Sequence, residues 1–344
     1  MLGKMSRTGW ATVFLLGLLA VLPPVLMAFD NEYYVGLATR LVILGIAATS
    51  LNLILGYGGL ISFGHAAFVG IGAYAVGIPV HHALFGGFEA VASYNGFFHI
   101  LLAVVVCAVF ALITGAICLR TKGVYFIMIT MAFAQMVYYF FISIDTYGAD
   151  DGLVIYQPSE VPVIDLSEPL HLYYVAFASL IAAILLVRMI VNSRFGMVLQ
   201  GAKSNAERMV TMGYNVYRYR LVAYVISGAM AGYAGALLGN YEGFISPEMM
   251  DWAQSGEFMF MVILGGTATT LGPIIGSTLF IVLEEALQVV MDWMEPAVEP
   301  LYRAVFGRDL QFEVYWHLPF GLLLIFAVLF VRGGIMGLIR GNKD

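Results

Sequence analysis

Apolar runs of roughly 20 residues recur along this chain, and they constrain its fold more than any other feature. A segment of that length can cross a bilayer as a helix, which satisfies its own backbone hydrogen bonds in lipid. The chain is 61% hydrophobic and 11% charged, whereas a soluble domain carries about 25% charged residues. We therefore expect an all-α polytopic membrane protein, a single transmembrane domain over 1–344, with about ten transmembrane or re-entrant helices. The predicted segments are 10–29, 35–55, 60–80, 97–118, 123–144, 172–191, 219–240, 256–269, 272–291 and 315–332.

Charge asymmetry predicts the orientation of these segments. If the N-terminus is cytoplasmic, 13 of the 16 Lys and Arg lie at or near the inner face. The outer loops 145–171, 241–255 and 292–314 are then dominated by Asp and Glu, so the positive-inside rule places both termini in the cytoplasm. Residues 1–29 are expected to remain as a first helix, since no Ala-x-Ala cleavage site precedes Asp30. The 13 inner residues are Lys4, Arg7, Arg120, Lys122, Arg188, Arg194, Lys203, Arg208, Arg218, Arg220, Arg332, Arg340 and Lys343.

Two glycine-rich segments, 56–65 and 264–273, predict interrupted helices. Interrupted segments in the two halves of a transporter indicate its translocation site. The halves are 10–144 and 172–332, with a possible five-plus-five inverted pseudo-repeat. His65 either lines the route or fixes the broken helix by a hydrogen bond. The candidate path residues are Asn52, Ser62, Gly64, His65, Gly265, Gly266, Thr267 and Gly272.

Other intramembrane polar and small residues favour packing roles. Asn52, Gln135 and Thr267 are expected to form interhelical hydrogen bonds more readily than to contact substrate. Small residues spaced 4, 3, 4 over 228–239 and along 66–77 predict close helix packing, with a sliding interface as the alternative. Arg40 could pair with Glu284 or Glu285, or both carboxylates could reach the outer interface.

The polar, basic segment 192–218 is longer than a connection between two membrane helices requires. Ser204 and Glu207 fit a capping box, and Gly213 fits a C-cap glycine, so a short helix is predicted at about 205–212. It carries Met209, Val210 and Met212, which suit a surface that packs against a partner. An amphipathic helix at the lipid interface is the alternative. The residues of this candidate surface are Ser204, Asn205, Ala206, Glu207, Arg208, Met209, Val210, Met212 and Gly213.

Several chemistries have no signature in the sequence. It contains no Gly-x4-Gly-Lys-Ser/Thr motif, so ATP and Mg must be bound by partner subunits if ATP drives the protein. No catalytic constellation or cofactor motif is present. His81-His82 lacks metal-ligand spacing, and the dispersed basic residues show no nucleic-acid footprint.

Four stretches carry a family resemblance: LNLILGYGGLISFGHAAFVGIGAYAVG (51–77), LRTKGVYFIMITMAFAQMVYYF (119–140), 193–238 and 245–276. The chain resembles the M-type permease subunits of branched-chain amino acid ABC importers, over roughly 35–340. The resemblance implies a type II-like importer permease in the bacterial inner membrane. It implies alternating access, with the permease as half of a heterodimer with an H-type subunit. Two cytoplasmic ABC ATPases and a periplasmic substrate-binding protein would complete the importer.

The resemblance also implies that residues 196–215 contact an ATPase, so 192–218 would be a cytoplasmic coupling loop. Two other functions stay open. The same architecture could import urea, short amides or aromatic acids, or the chain could be an ATP-independent secondary carrier or channel.

Overall fold

The structure, a computed structural model, describes residues 7–28, 31–162, 165–306, 317–330 and 333–340. Predictions for Lys4, Arg332 and Lys343, and for the outer loop between 307 and 314, fall outside these residues. The helices are α1 Arg7–Ala28, α2 Glu32–Asn52, α3 His65–Phe85, α4 Gly96–Cys118, α5 Val124–Ile142, α6 Pro169–Asn192, α7 Arg194–Ser204, α8 Ala206–Thr211, α9 Val216–Glu242, α10 Trp252–Gly265, α11 Gly272–Phe306, α12 His317–Phe330 and α13 Gly334–Arg340.

Seven helical segments among the described residues are long and apolar enough to cross a membrane. The predicted all-α polytopic class is therefore confirmed, whereas the count of about ten, the division into halves and the pseudo-repeat stay predictions. The predicted span 256–269 corresponds to α10, whose 14 residues reach about 21 Å. The seven segments are Glu32–Tyr57, His65–Phe85, Gly96–Cys118, Val124–Ile142, Pro169–Asn192, Val216–Glu242 and Gly272–Glu295.

Helices α2 and α9 lie at the centre of the bundle, where small residues let their neighbours approach closely. Helix α9 packs against α3 and α4. A Cβ at Gly235 would collide with the backbone oxygen of Val69, and one at Gly232 would collide with the Cys107 side chain. These positions are closed to larger residues, so the glycine stripe of α9 serves close packing, as the spacing favours.

Both predicted interruptions are present in the backbone. Helix α2 continues as a π-helical turn, Leu53–Tyr57, and the chain is then non-helical until α3 begins at His65. Helices α10 and α11 are joined by a short turn in which Gly266 and Ala268 have φ of 116° and 56°. The positive φ at Gly266 is accessible because glycine has no Cβ.

A third irregular segment, 243–251, was predicted only as part of an outer loop. Phe244–Ile245 pairs antiparallel with Leu153–Val154, and a 3-10 turn follows at Pro247–Met250. Met250 is fully buried and fills the space above Gly70 of α3. This part of the segment is thus a packed element of the bundle, because the missing Cβ of Gly70 leaves room for the methionine.

Candidate translocation and coupling sites

The two interrupted segments meet at Asn52, near the end of α2. Its Nδ2 donates to the Thr269 carbonyl at 2.9 Å, and its Oδ1 accepts from the Ala268 amide at 3.0 Å. Asn52 is 1% exposed. The nitrogen and the oxygen of this buried side-chain amide are both hydrogen-bonded, and they satisfy two backbone groups of the turn that have no partner within a helix. Asn52 therefore joins α2 to the α10–α11 turn, the interhelical bonding that its position predicts.

Within that turn the bonding threonine is Thr269, which sequence reasoning missed. Thr269 Oγ1 donates to the Gly266 carbonyl at 2.7 Å and accepts from the Gly272 amide at 3.0 Å. The predicted residue, Thr267, is exposed instead. An exposed hydroxyl does not need a partner on another helix, which was the reason for expecting an interhelical bond. Helix α11 begins at Gly272, so Thr269 precedes the N-cap position by two residues, and the usual N-cap pattern gives no signal for this bond.

Glycine is required where these segments touch. A Cβ at Gly56 would collide with the Asn52 side chain and the Ala268 amide, and a Cβ at Gly265 would collide with the Gly272 carbonyl. The candidate path residues Gly265, Gly266 and Gly272 thus allow close backbone contact at the turn.

His65 is fully buried at the first residue of α3. Its Nε2 lies 2.8 Å from Ser50 Oγ, which itself donates to the Ala47 carbonyl at 2.6 Å. The serine hydroxyl has one proton, so the histidine Nε2–H donates to it. Ser227 Oγ of α9 donates to the Ser50 carbonyl at 2.6 Å. This network fastens the broken end of α3 to α2 and α9, a geometry that matches the helix-fixing alternative for His65.

The residues before His65 contact two further helices. Ser62 is fully buried, and the Phe63 amide donates to Thr130 Oγ1 of α5 at 3.3 Å. Ser255 Oγ of α10 accepts from the Ala66 amide at 2.9 Å. A Cβ at Gly64 would collide with the Thr130 carbonyl. The end of the first interruption, residues 62–64, is therefore covered by α5 and α10, as irregular backbone within a bilayer requires.

Polar side chains farther along the bundle also pair between elements. Gln135 Nε2 donates to Asp251 Oδ1 at 2.7 Å, an interhelical role that its position predicts. Arg40 and Glu284 form an ion pair at 3.3 Å. Tyr33 Oη donates to Glu285 Oε1 at 2.7 Å. Glu284 therefore forms the ion pair with Arg40 that was one of its two predicted alternatives, the other being a position at the outer interface.

Segment 192–218 contains two helices where one was predicted. Helix α7 begins after Ser193, whose Oγ accepts from the Gly196 amide at 3.3 Å. It runs through Ser204, and the break follows at Asn205. Helix α8 then covers Ala206–Thr211, close to the predicted 205–212. The loop is a compact unit because five of its residues are buried. They are Gly196, Val198, Leu199 and Ala202 of α7 and Val216 at the start of α9.

The capping box predicted at Ser204 is wrong. Ser204 is the last residue of α7, so its hydroxyl donates back to the Gln200 carbonyl at 3.3 Å. Asn205, with extended backbone, caps α8 instead, and its Oδ1 accepts from the Arg208 amide at 3.0 Å. Gly213 follows α8 with φ of 89°, the left-handed conformation of a C-cap glycine.

Helix α8 presents an apolar surface beside its charged residues. Val210 and Met212 are 59% and 64% exposed, Glu207 and Arg208 are also exposed, and Met209 instead packs over Gly201. An exposed valine on a short, capped helix and an exposed methionine directly after it suit contact with another protein.

A lysine that sequence reasoning did not single out links this loop to the first interruption. Lys203 Nζ donates to the Gly56 carbonyl at 2.6 Å. Its Cγ lies 2.8 Å from the position that a Cβ on Gly59, which has φ of 68°, would occupy. Arg220 of α9 donates to the Ala202 carbonyl at 3.1 Å. No local signal could have identified these contacts, because the partners of Lys203 are far away in the sequence.

A polar cavity of about 950 Å³ lies at the predicted outer face, between 93–95 and 157–167. Beneath it, fully buried His99 contacts Ser159 Oγ at 2.7 Å and the Ser93 carbonyl at 2.9 Å. The Ser167 amide donates to Asp165 at its rim and lowers the pKa of that carboxyl. Glu160 and Asp165 line the cavity, so its surface is polar and negatively charged.

Comparisons with known proteins agree with this architecture. A family described as "Branched-chain amino acid transport system / permease component" matches residues 33–337. The high-affinity branched-chain amino acid transport system permease protein LivM of Salmonella typhimurium is 24% identical over 285 residues, 74% of this chain and 63% of that protein. The probable LivM of Methanocaldococcus jannaschii is 22% identical over 323 residues, 85% of this chain and 89% of that protein.

A shorter match involves the permease protein LivH of Escherichia coli, which is 30% identical over 116 residues, 34% of this chain and 36% of that protein. The chain spans 63% of the length of the Salmonella LivM protein. No solved structure matches the chain significantly.

Proposed function

Because this chain belongs to the family of branched-chain amino acid transport system permease components, we propose that it is the LivM-type membrane subunit of an ATP-binding-cassette importer. It forms half of a path for branched-chain or related amino acids across the bacterial inner membrane. An H-type permease subunit forms the other half, two cytoplasmic ATPases supply the energy, and a periplasmic binding protein delivers the cargo. Both termini and the α7–α8 loop face the cytoplasm, where the basic residues favour them.

One set of contacts carries the proposal: the loop and both interruptions are joined in series. Lys203 binds the Gly56 carbonyl at the end of α2. Asn52, one helical turn earlier, binds the α10–α11 turn. A displacement of α7 is therefore transmitted to both irregular segments through hydrogen bonds to backbone groups.

The mechanism follows from that connection. An ATPase contacts exposed Val210 of α8 and Met212, which directly follows it. The movement of the ATPase shifts α7 because α7 and α8 adjoin at Asn205. The interruptions, which lack continuous helical bonding, change conformation at lower cost than an intact helix. Thr267 is exposed at the tip of the α10–α11 turn and is available to a solute. Ser62 and His65 are buried and hold the surrounding backbone.

The test is transport by the purified complex in proteoliposomes. We expect leucine uptake that requires ATP and the binding protein. Uptake by the isolated chain without ATP would refute the importer assignment in favour of a carrier or channel. ATP-dependent uptake of urea, a short amide or an aromatic acid in preference to leucine would refute the cargo and leave the importer intact.

A further inference from the structure

A small basic cavity lies beside the α7–α8 loop, and the proposed transport mechanism uses only the Lys203–Gly56 contact at its edge. Its volume is about 290 Å³, and it is bounded by 59–61, the α4–α5 turn with the start of α5, and α7 to the start of α8. Lys122, Lys203 and Arg220 line it. Among the described residues that line it, none carries a carboxylate. Three positive charges around one cavity favour an anion.

The hydrogen-bonding groups of the cavity are incompletely used. Arg220 donates through one terminal nitrogen to the Ala202 carbonyl, but its buried Nε has no partner among the described residues. Helix α5 begins after Gly123 without a side-chain cap, and Gly123, Phe126 and Ile127 line the cavity. A guanidinium N–H without a partner is a donor from which a phosphate oxygen can accept a charge-assisted hydrogen bond.

The surroundings of the cavity indicate the source of the anion. Ile61, Val124, Tyr125 and Met128 are 43%, 65%, 73% and 63% exposed on the outside of the bundle. They lie next to the cavity at the end of the membrane-crossing helix α5, where acyl chains would cover them. A basic pocket between membrane helices on the cytoplasmic side is a setting in which lipid headgroups bind.

We propose that this cavity binds the phosphate of an anionic phospholipid headgroup, with the acyl chains along the exposed face of α5. The bound lipid contacts α7 and the first interruption at once, because Lys203 belongs to both the cavity and the Gly56 contact. The headgroup therefore stabilises the arrangement of loop and bundle, whatever the transported cargo is.

The experiment counts lipids on the full-length chain, purified with its co-purifying subunits and placed in nanodiscs. The discs contain phosphatidylcholine mixed with phosphatidylglycerol, and native mass spectrometry measures the phosphatidylglycerol retained after release. Lys122→Gln and Arg220→Gln should each reduce retention about tenfold, the effect of losing one charged hydrogen bond. Arg120→Gln and Arg218→Gln are matched controls, since both are exposed and neither lines the cavity.

The outcomes separate the possible sources of the anion. If Lys122→Gln and Arg120→Gln retain the same amount of phosphatidylglycerol, the cavity is not the binding site and the proposal is wrong. Displacement of phosphatidylglycerol from the wild-type chain by inorganic phosphate overturns the lipid assignment, because a soluble anion then fills the cavity. Lys122 is exposed on a turn, so its variant keeps the helix contacts and decides the matter alone if Arg220→Gln fails to fold.

Discussion

Replacing Lys203 by methionine should uncouple ATP hydrolysis from transport. The change keeps the length of the side chain, and with it the packing over Gly59, but removes the bond from Nζ to the Gly56 carbonyl. A hydrogen bond from a charged group contributes about 1.5–3 kcal/mol. Lys203 is an exposed residue, so solvent screening reduces this to about 1 kcal/mol.

A loss of about 1 kcal/mol changes an equilibrium about fivefold. If the Lys203 contact couples the loop to the interruption, the amount of leucine imported per ATP hydrolysed should fall by about that factor. The ATPase rate should persist, because the exposed surface of α8 is unchanged. The assay measures uptake and phosphate release on the same proteoliposomes, and the ratio of the two is compared between variants.

Three control variants assign the effect to that bond. Lys203→Arg keeps a donor and should retain most of the coupling. Lys122→Gln removes a charge from the neighbouring basic cavity but leaves the Gly56 contact in place. Arg218→Met removes an exposed cation from the same loop region. The reasoning is refuted if Lys203→Met imports as much leucine per ATP as the wild type, or if Arg218→Met lowers the ratio equally.

Three further predictions follow from packing, backbone conformation and orientation. Gly235→Val should lower the yield of folded protein, because a Cβ at this position collides with the Val69 backbone. Gly256→Ala should leave the yield unchanged, because its Cβ enters open space. The height of the folded peak in size-exclusion chromatography measures the yield of each variant. Gly213→Val forces a side chain into φ of 89°, costs about 1–2 kcal/mol and should lower the uptake per ATP, which an unchanged ratio would contradict. Val210→Cys should react with an impermeant maleimide added from the cytoplasmic side, and Glu160→Cys with one added from the opposite side. Both native cysteines are buried and should not react. Labelling of Val210→Cys from the outside would show that the proposed orientation is reversed.

The sequence by itself determined the class of the protein and the two places where glycine-rich segments interrupt the membrane helices. Hydrophobic length predicts membrane helices because each segment satisfies its own backbone, and glycine density predicts the breaks after Gly56 and before Gly272. The cap of α8 was misassigned by one residue. Ser204 and Asn205 both carry capping side chains, and the length of α7, fixed by burial of its apolar side chains, decides which of them lies at the boundary.

Only the tertiary structure decided which of these elements act on one another. Lys203 and Gly56 are 147 residues apart, and Asn52 and Thr269 are 217 apart. Neither pair has a local signature, because a lysine or an asparagine is chemically able to bind any free carbonyl within reach. The close approach of helices at small residues determines which carbonyl lies within reach of each side chain. The pairing of loop, interruption and turn is therefore a property of the packed bundle, whereas each of the three segments is a property of the sequence.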